Sequence, residues 1–130
     1  MRAGLIAGAA LAGAVLLLAA VAFGAVPGKK FAQETANGEY AVAVAAGNTD
    51  DPSAIYLQVK SRPTQKVSGA WTVVCSKGYG AGSKSGNFKG TTTMVRKLKM
   101  SYANPSSCTA SASAQLSNGG FLKVQLYATH

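Results

Sequence analysis

Cys108–Ala128 reads CTASASAQLSNGGFLKVQLYA and alternates twice. In its first half Cys108, Ala110, Ala112, Ala114 and Leu116 fall on one side, and Thr109, Ser111, Ser113, Gln115 and Ser117 on the other. In its second half Leu122, Val124, Leu126 and Ala128 oppose Phe121, Lys123, Gln125 and Tyr127. Period two over such lengths marks half-buried strands with their apolar rows facing a core. Asn118-Gly119-Gly120 between them is a turn signal, so the stretch predicts a β-hairpin. A two-residue turn would oppose Leu116 to Phe121 and mix the faces, because a one-residue slip inverts a strand. A three-residue turn keeps them apart: Leu116 opposite Leu122, Ala114 opposite Val124, Ala112 opposite Leu126. Gly120 suits the positive φ such a turn ends on.

Working outward, Glu39–Ala46 (EYAVAVAA) alternates Tyr40, Val42 and Val44 with Ala and reads as a strand. Gly47–Ser53 (GNTDDPS) is a turn cluster, and its Asp50-Asp51 pair lacks the spacing of a calcium loop. Ala54–Lys60 is a strand with Ile55, Leu57 and Val59 inward and Tyr56, Gln58 and Lys60 outward. Gly69–Ser76 is another, with Trp71, Val73 and Cys75 on one face; Trp71 reads as core filler against the alanine row of a facing strand. Lys77–Gly90 (KGYGAGSKSGNFKG) reads as a mobile cationic loop offering Tyr79 and Phe88 as aromatic contacts. It is not a phosphate loop, since Ser83 rather than Gly precedes Lys84-Ser85 and no helix follows. Thr91–Tyr102 is a strand of mixed parity carrying Arg96, Lys97 and Lys99, cations that also protect an edge from pairing.

The chain has four acidic residues against 13 Lys plus Arg, for a net charge of +9. Glu34, Glu39, Asp50 and Asp51 all precede Pro52, and every charged side chain after it is cationic. A domain so charged is drawn to polyanions. The candidate contacts are Lys77, Lys84, Lys89, Arg96, Lys97, Lys99 and Lys123. The partner classes are an anionic cell-envelope polymer or lipid, or a protein. Cys75 and Cys108, an even pair, predict a disulfide across the sandwich. They cannot form a zinc site with His130 as the sole histidine, and neither metal nor cofactor is expected.

At the N-terminus, Leu5–Leu18 is apolar or small throughout, long enough for a signal-peptide core of roughly 7–15 residues. Ala20-Val21-Ala22 supplies small residues for cleavage after Ala22. The competing reading of 1–26 is a retained hydrophobic helix, since about 20 residues cross a bilayer and no charge intervenes between Arg2 and Lys29. Membrane contact then runs through that segment alone. Both readings place the domain outside the cytoplasm, secreted or on the extracellular face. Residues 27–37 read as a linker, and 38–130 as the domain.

Six to seven short strands with turns between them predict an antiparallel β-sandwich. By pattern, Gly38–His130 resembles small immunoglobulin-like or fibronectin-III-like modules. It departs from true immunoglobulin domains in carrying Trp71 on the same strand as Cys75, where they place the core Trp between the two cysteines. No catalytic or ligand motif stands out. An enzyme is not expected: no internal His, no paired carboxylates in the core and no thiol left free by the disulfide. The expectation is therefore an exported, non-catalytic contact module of the cell envelope or extracellular space. The alternative is a small-ligand carrier using the alanine-lined face, and a filled core would count against it.

Overall fold

A computed structural model describes residues 25–130. The expected N-terminal helix or signal peptide, with its expected cleavage after Ala22, falls outside the described residues. Eight strands follow in order: β1 (Lys29–Glu39), β2 (Val42–Asp50), β3 (Ala54–Arg62), β4 (Lys66–Lys77), β5 (Gly80–Thr91), β6 (Met94–Leu98), β7 (Ser107–Leu116) and β8 (Gly119–Thr129). They form two antiparallel four-stranded sheets, β1-β8-β3-β6 and β2-β7-β4-β5.

The register shows how the chain reaches this order. It reverses once, at Gly78-Tyr79, and its two arms stay paired outward from there. Lys77 lies opposite Gly80 and Lys66 opposite Thr91 in β4–β5. Val59 lies opposite Met94 in β3–β6, Asp50 opposite Ser107 in β2–β7, and Lys29 opposite Ala128 in β1–β8. Winding this double ribbon sends successive strand pairs to opposite sheets, which is the jelly-roll arrangement. Gly78, at φ 61°, takes the first central position of the turn, where a glycine matches the twist of the flanking strands.

Cys108–Ala128 is therefore not a hairpin. β7 is flanked by β2 and β4, and β8 by β1 and β3, so neither has a free side for the other. Their apolar rows face each other across the core instead of lying side by side. Ala112 stands opposite Trp71 and Ala45, and Leu122 opposite Ala36 and Ser61. Alternation reports which face is buried, and a hairpin and a sheet-to-sheet crossing bury the same faces. Gly120 does adopt a positive φ, 150°, and a Cβ there would collide with the Arg62 carbonyl oxygen. The Gln65 side chain ties this crossing down, accepting from the Asn118 amide at 2.8 Å and donating to the Gly119 carbonyl at 3.0 Å.

Three other expectations change. The topology is not immunoglobulin-like, since an immunoglobulin sandwich keeps its first two strands, and its last two, side by side. Here each of those pairs is split between sheets. Residues 27–37 are not a linker, because β1 pairs with β8 along most of its length. An edge strand can be polar, and of β1 only Phe31, Ala32 and Ala36 pack on the core. Lys77–Gly90 is not a loop but the turn and β5, a glycine-rich edge strand whose weak strand propensity hid it. Within it Phe88 is buried, leaving Tyr79 alone fully exposed at the tip.

The core joins unlike faces. One sheet contributes Ile55, Leu57, Val59, Leu122, Val124 and Leu126, the other chiefly Ala43, Ala45, Ala110, Ala112 and Ala114. Large side chains on one sheet face small ones on the other, and both rows belong to one buried core. Trp71 also packs on this core, half-buried, with its indole close against Gly86. The alanines on its strand neighbour β7 lie beside it, not opposite across the core. On β2 the alanines turn inward, leaving Val42 and Val44 each 53% exposed.

Cys75 and Cys108 are bonded. The bond does not cross the sandwich: it joins directly opposed residues of neighbouring strands β4 and β7, with Cα atoms 4.1 Å apart. Both side chains point inward, so the close approach of an antiparallel pair suffices.

Candidate functional site

β1 and β2 lie along one long edge of the sandwich and β5 and β6 along the other. β5 has 12 residues and β6 only five. The shorter strand leaves part of the inner side of β5 uncovered. Lys84 stands opposite Val73 and so has inward parity, yet it is exposed because β6 does not reach over it. The chain leaving β6 partly fills the gap. Ser101 and Tyr102 lie against β5 where it carries Gly80 and Gly82. A Cβ on Gly82 would stand 3.0 Å from the Ser101 side chain, and one on Gly80 2.8 Å from the Tyr102 hydroxyl oxygen. Glycine in β5 thus lets that segment approach.

The result is a surface groove of 660 Å³ lined by Lys84, Lys97, Lys99, Met100, Ser101 and Tyr102, among others. None of its lining residues is acidic. The Ser101 hydroxyl is buried there without a hydrogen-bond partner. Lys84, Lys97 and Lys99 thus border one recess whose lining includes no carboxylate. The aromatic ring and the Met100 side chain add apolar surface beside the charge.

The other expected contacts are placed elsewhere. Arg96 also has inward parity, between Met94 and Leu98, but reaches across the open edge and donates from Nη2 to the Lys89 carbonyl at 3.0 Å. Its guanidinium ties the two sheets together. Lys89 projects from β5 into a second groove together with Lys66. Lys77 ends β4 beside the hairpin tip. Lys123 lies on the outer face of the other sheet, between Thr35 and Lys60. Lys84, Lys97 and Lys99 therefore converge, while Lys77, Lys89, Arg96 and Lys123 do not join them.

Sequence reasoning missed Tyr102 and Ser101, which belong to no strand, and Lys66 and Tyr40, which line the second groove. It also missed a row of amides on the outer face of the β1-β8-β3-β6 sheet. There Gln125 donates to Gln33 at 2.8 Å, and Gln58, at 1% exposure, lies beside Gln125. Arg62 sits 4.8 Å over the Phe121 ring on the same face.

No family model and no curated protein matches the chain. A similar solved structure is that of TmCBM61, a carbohydrate-binding module in complex with β-1,4-galactotriose, at 14% identity and a TM-score of 0.43, covering 76% of this chain and 70% of that one.

Proposed function

We propose that this protein is an exported, non-catalytic binding module whose β5/β6 edge contacts an anionic polymer of the cell envelope or extracellular space. The observation that carries this reading is the convergence of Lys84, Lys97 and Lys99 on one groove with no acidic residue in its lining. A structural disulfide suits the oxidising compartments outside the cytoplasm. The row of alanines that a carrier would use belongs to the buried core, which supports the contact module over the carrier.

The test is binding of an anionic polymer across a salt series, with the wild type beside a Lys84→Gln, Lys97→Gln, Lys99→Gln variant. Charges are screened over about 8 Å at physiological salt, so wild-type affinity falls steeply as salt rises. Three exposed ion pairs at about 0.2–1 kcal/mol each put the loss in the triple variant near tenfold. Absence of binding at low salt, or binding indifferent to salt, overturns the reading.

A further inference from the structure

Near the far end of β5 lies a second groove, of 570 Å³, with a different character. It lies on the outer face of the β2-β7-β4-β5 sheet, where Ser68, Gln115 and Ser117 stand exposed; Val67 and Leu116 also border it, but their side chains face the core. Lys66 and Lys89 supply two ammonium groups. They are diagonal neighbours in the β4–β5 ladder, since Lys66 opposes Thr91 and Lys89 opposes Ser68, a spacing of about 7–8 Å. Glu39, next to the groove in sequence, is not among its lining residues.

At the margin stands Tyr40, 58% exposed. Its φ is 51°, in the left-handed region that bulky residues rarely adopt. The Tyr40 amide donates to the Asn118 carbonyl at 3.2 Å, which holds this turn against the β7–β8 crossing. Backbone in such a conformation persists only where the surroundings impose it, and it clusters at ligand sites. Here it presents an aromatic ring to a groove instead of to the core.

We infer that this groove binds a carboxylated sugar unit of an acidic polysaccharide. An aromatic ring offers its face to the apolar face of a sugar ring. Serine hydroxyls and a glutamine amide supply both donors and acceptors for sugar hydroxyls. Two lysines, in a lining that includes no acid, suit a carboxylate. The inference rests on the polyanion reading and names its polymer class. Lys84 and Lys89 lie five residues apart on β5, about 16 Å at strand rise and on opposite faces of the strand, so a polymer chain that reaches both grooves has to wrap around this open edge.

The experiment is calorimetric titration of the full-length protein with oligogalacturonate, a neutral galactose oligomer, polyphosphate and a single-stranded oligonucleotide. The variants are Tyr40→Phe, Lys66→Gln and Tyr40→Asn, the last because asparagine tolerates a left-handed backbone but carries no ring. Oligogalacturonate binds the wild type best. Tyr40→Asn weakens it about tenfold, the scale of a lost stacking contact. Tyr40→Phe leaves it nearly unchanged, and Lys66→Gln weakens it in a salt-dependent way. If all polyanions bind equally and Tyr40→Asn matches the wild type, the sugar site is overturned and the polyanion reading stands. Tightest binding of the oligonucleotide, with the same dependence on Tyr40, overturns the sugar in favour of a nucleic acid. Failure of every polyanion to bind overturns both readings.

Discussion

The two long edges of this sandwich are each built from one strand of either sheet, yet they are opposites. Along β1/β2 the sheets close tightly: a Cβ on Gly47 would meet the Phe31 carbonyl oxygen at 2.9 Å and the Ala32 Cβ at 3.1 Å. All four acids are on this side, Glu34 and Glu39 in β1, Asp50 in β2 and Asp51 just after it, against two cations, Lys29 and Lys30 at the start of β1. Along β5/β6 the strands are unequal and the edge is open. Its charges are Lys84, Lys89, Arg96 and Lys97, with Lys99 just beyond. Nested pairing explains the difference. It brings the earliest strands to one edge and the middle ones to the other, so a charge imbalance along the chain becomes one across the molecule.

The largest effect expected of this difference concerns the disulfide. β5 pairs only with β4, and β4 is held to the rest of its sheet by β7 and by Cys75–Cys108. The bond closes a separation of 33 residues. Chain-entropy arithmetic puts its contribution at up to about 3.7 kcal/mol. A Cys75→Ala, Cys108→Ala variant should therefore show a much lower urea midpoint, and a midpoint equal to wild type would mean that the β4–β7 ladder needs no covalent support.

A smaller effect comes from one substitution made at both edges. Gly47→Ala drives a methyl group into backbone at the closed edge and should cost about 1–3 kcal/mol. Gly82→Ala meets no backbone, only the Ser101 side chain and, at 3.8 Å, the Tyr102 ring, in a segment outside any strand, and should cost under about 1 kcal/mol. Thermal unfolding midpoints read both. Equal losses would show that the two edges are packed alike.

How far the sequence reveals this fold depends on what its residues report. Ile55, Leu57 and Val59, and the rows of β7 and β8, announce their faces because branched or small apolar residues alternate with polar ones. All face the core as expected. Pairing is another matter. Asn118–Gly120 has the composition of a hairpin turn but crosses between sheets, whereas the real hairpin at Gly78-Tyr79 leads into a strand almost without apolar residues. β5 owes its strand to the ladder with β4 and not to its own propensity. The cationic site is half visible for the same reason. Charge alone points to Lys84, Lys97 and Lys99, but only the short β6 and the fold-back of Ser101 and Tyr102 bring them to one groove. Tyr40 reads as a strand residue, and its left-handed turn has no signature in a run of alanines and valines.

The most direct measurement is a backbone amide chemical-shift titration of the full-length protein with a short anionic polymer at low salt. The account predicts that the shifts cluster on β5, on Lys97–Tyr102 and around Lys66, and vanish as salt is added, while β1 and β2 stay unmoved apart from the turn at Tyr40. Shifts spread evenly over all cations, Lys29, Lys30, Lys60 and Lys123 included, would contradict it and leave only diffuse attraction between a basic protein and an anion.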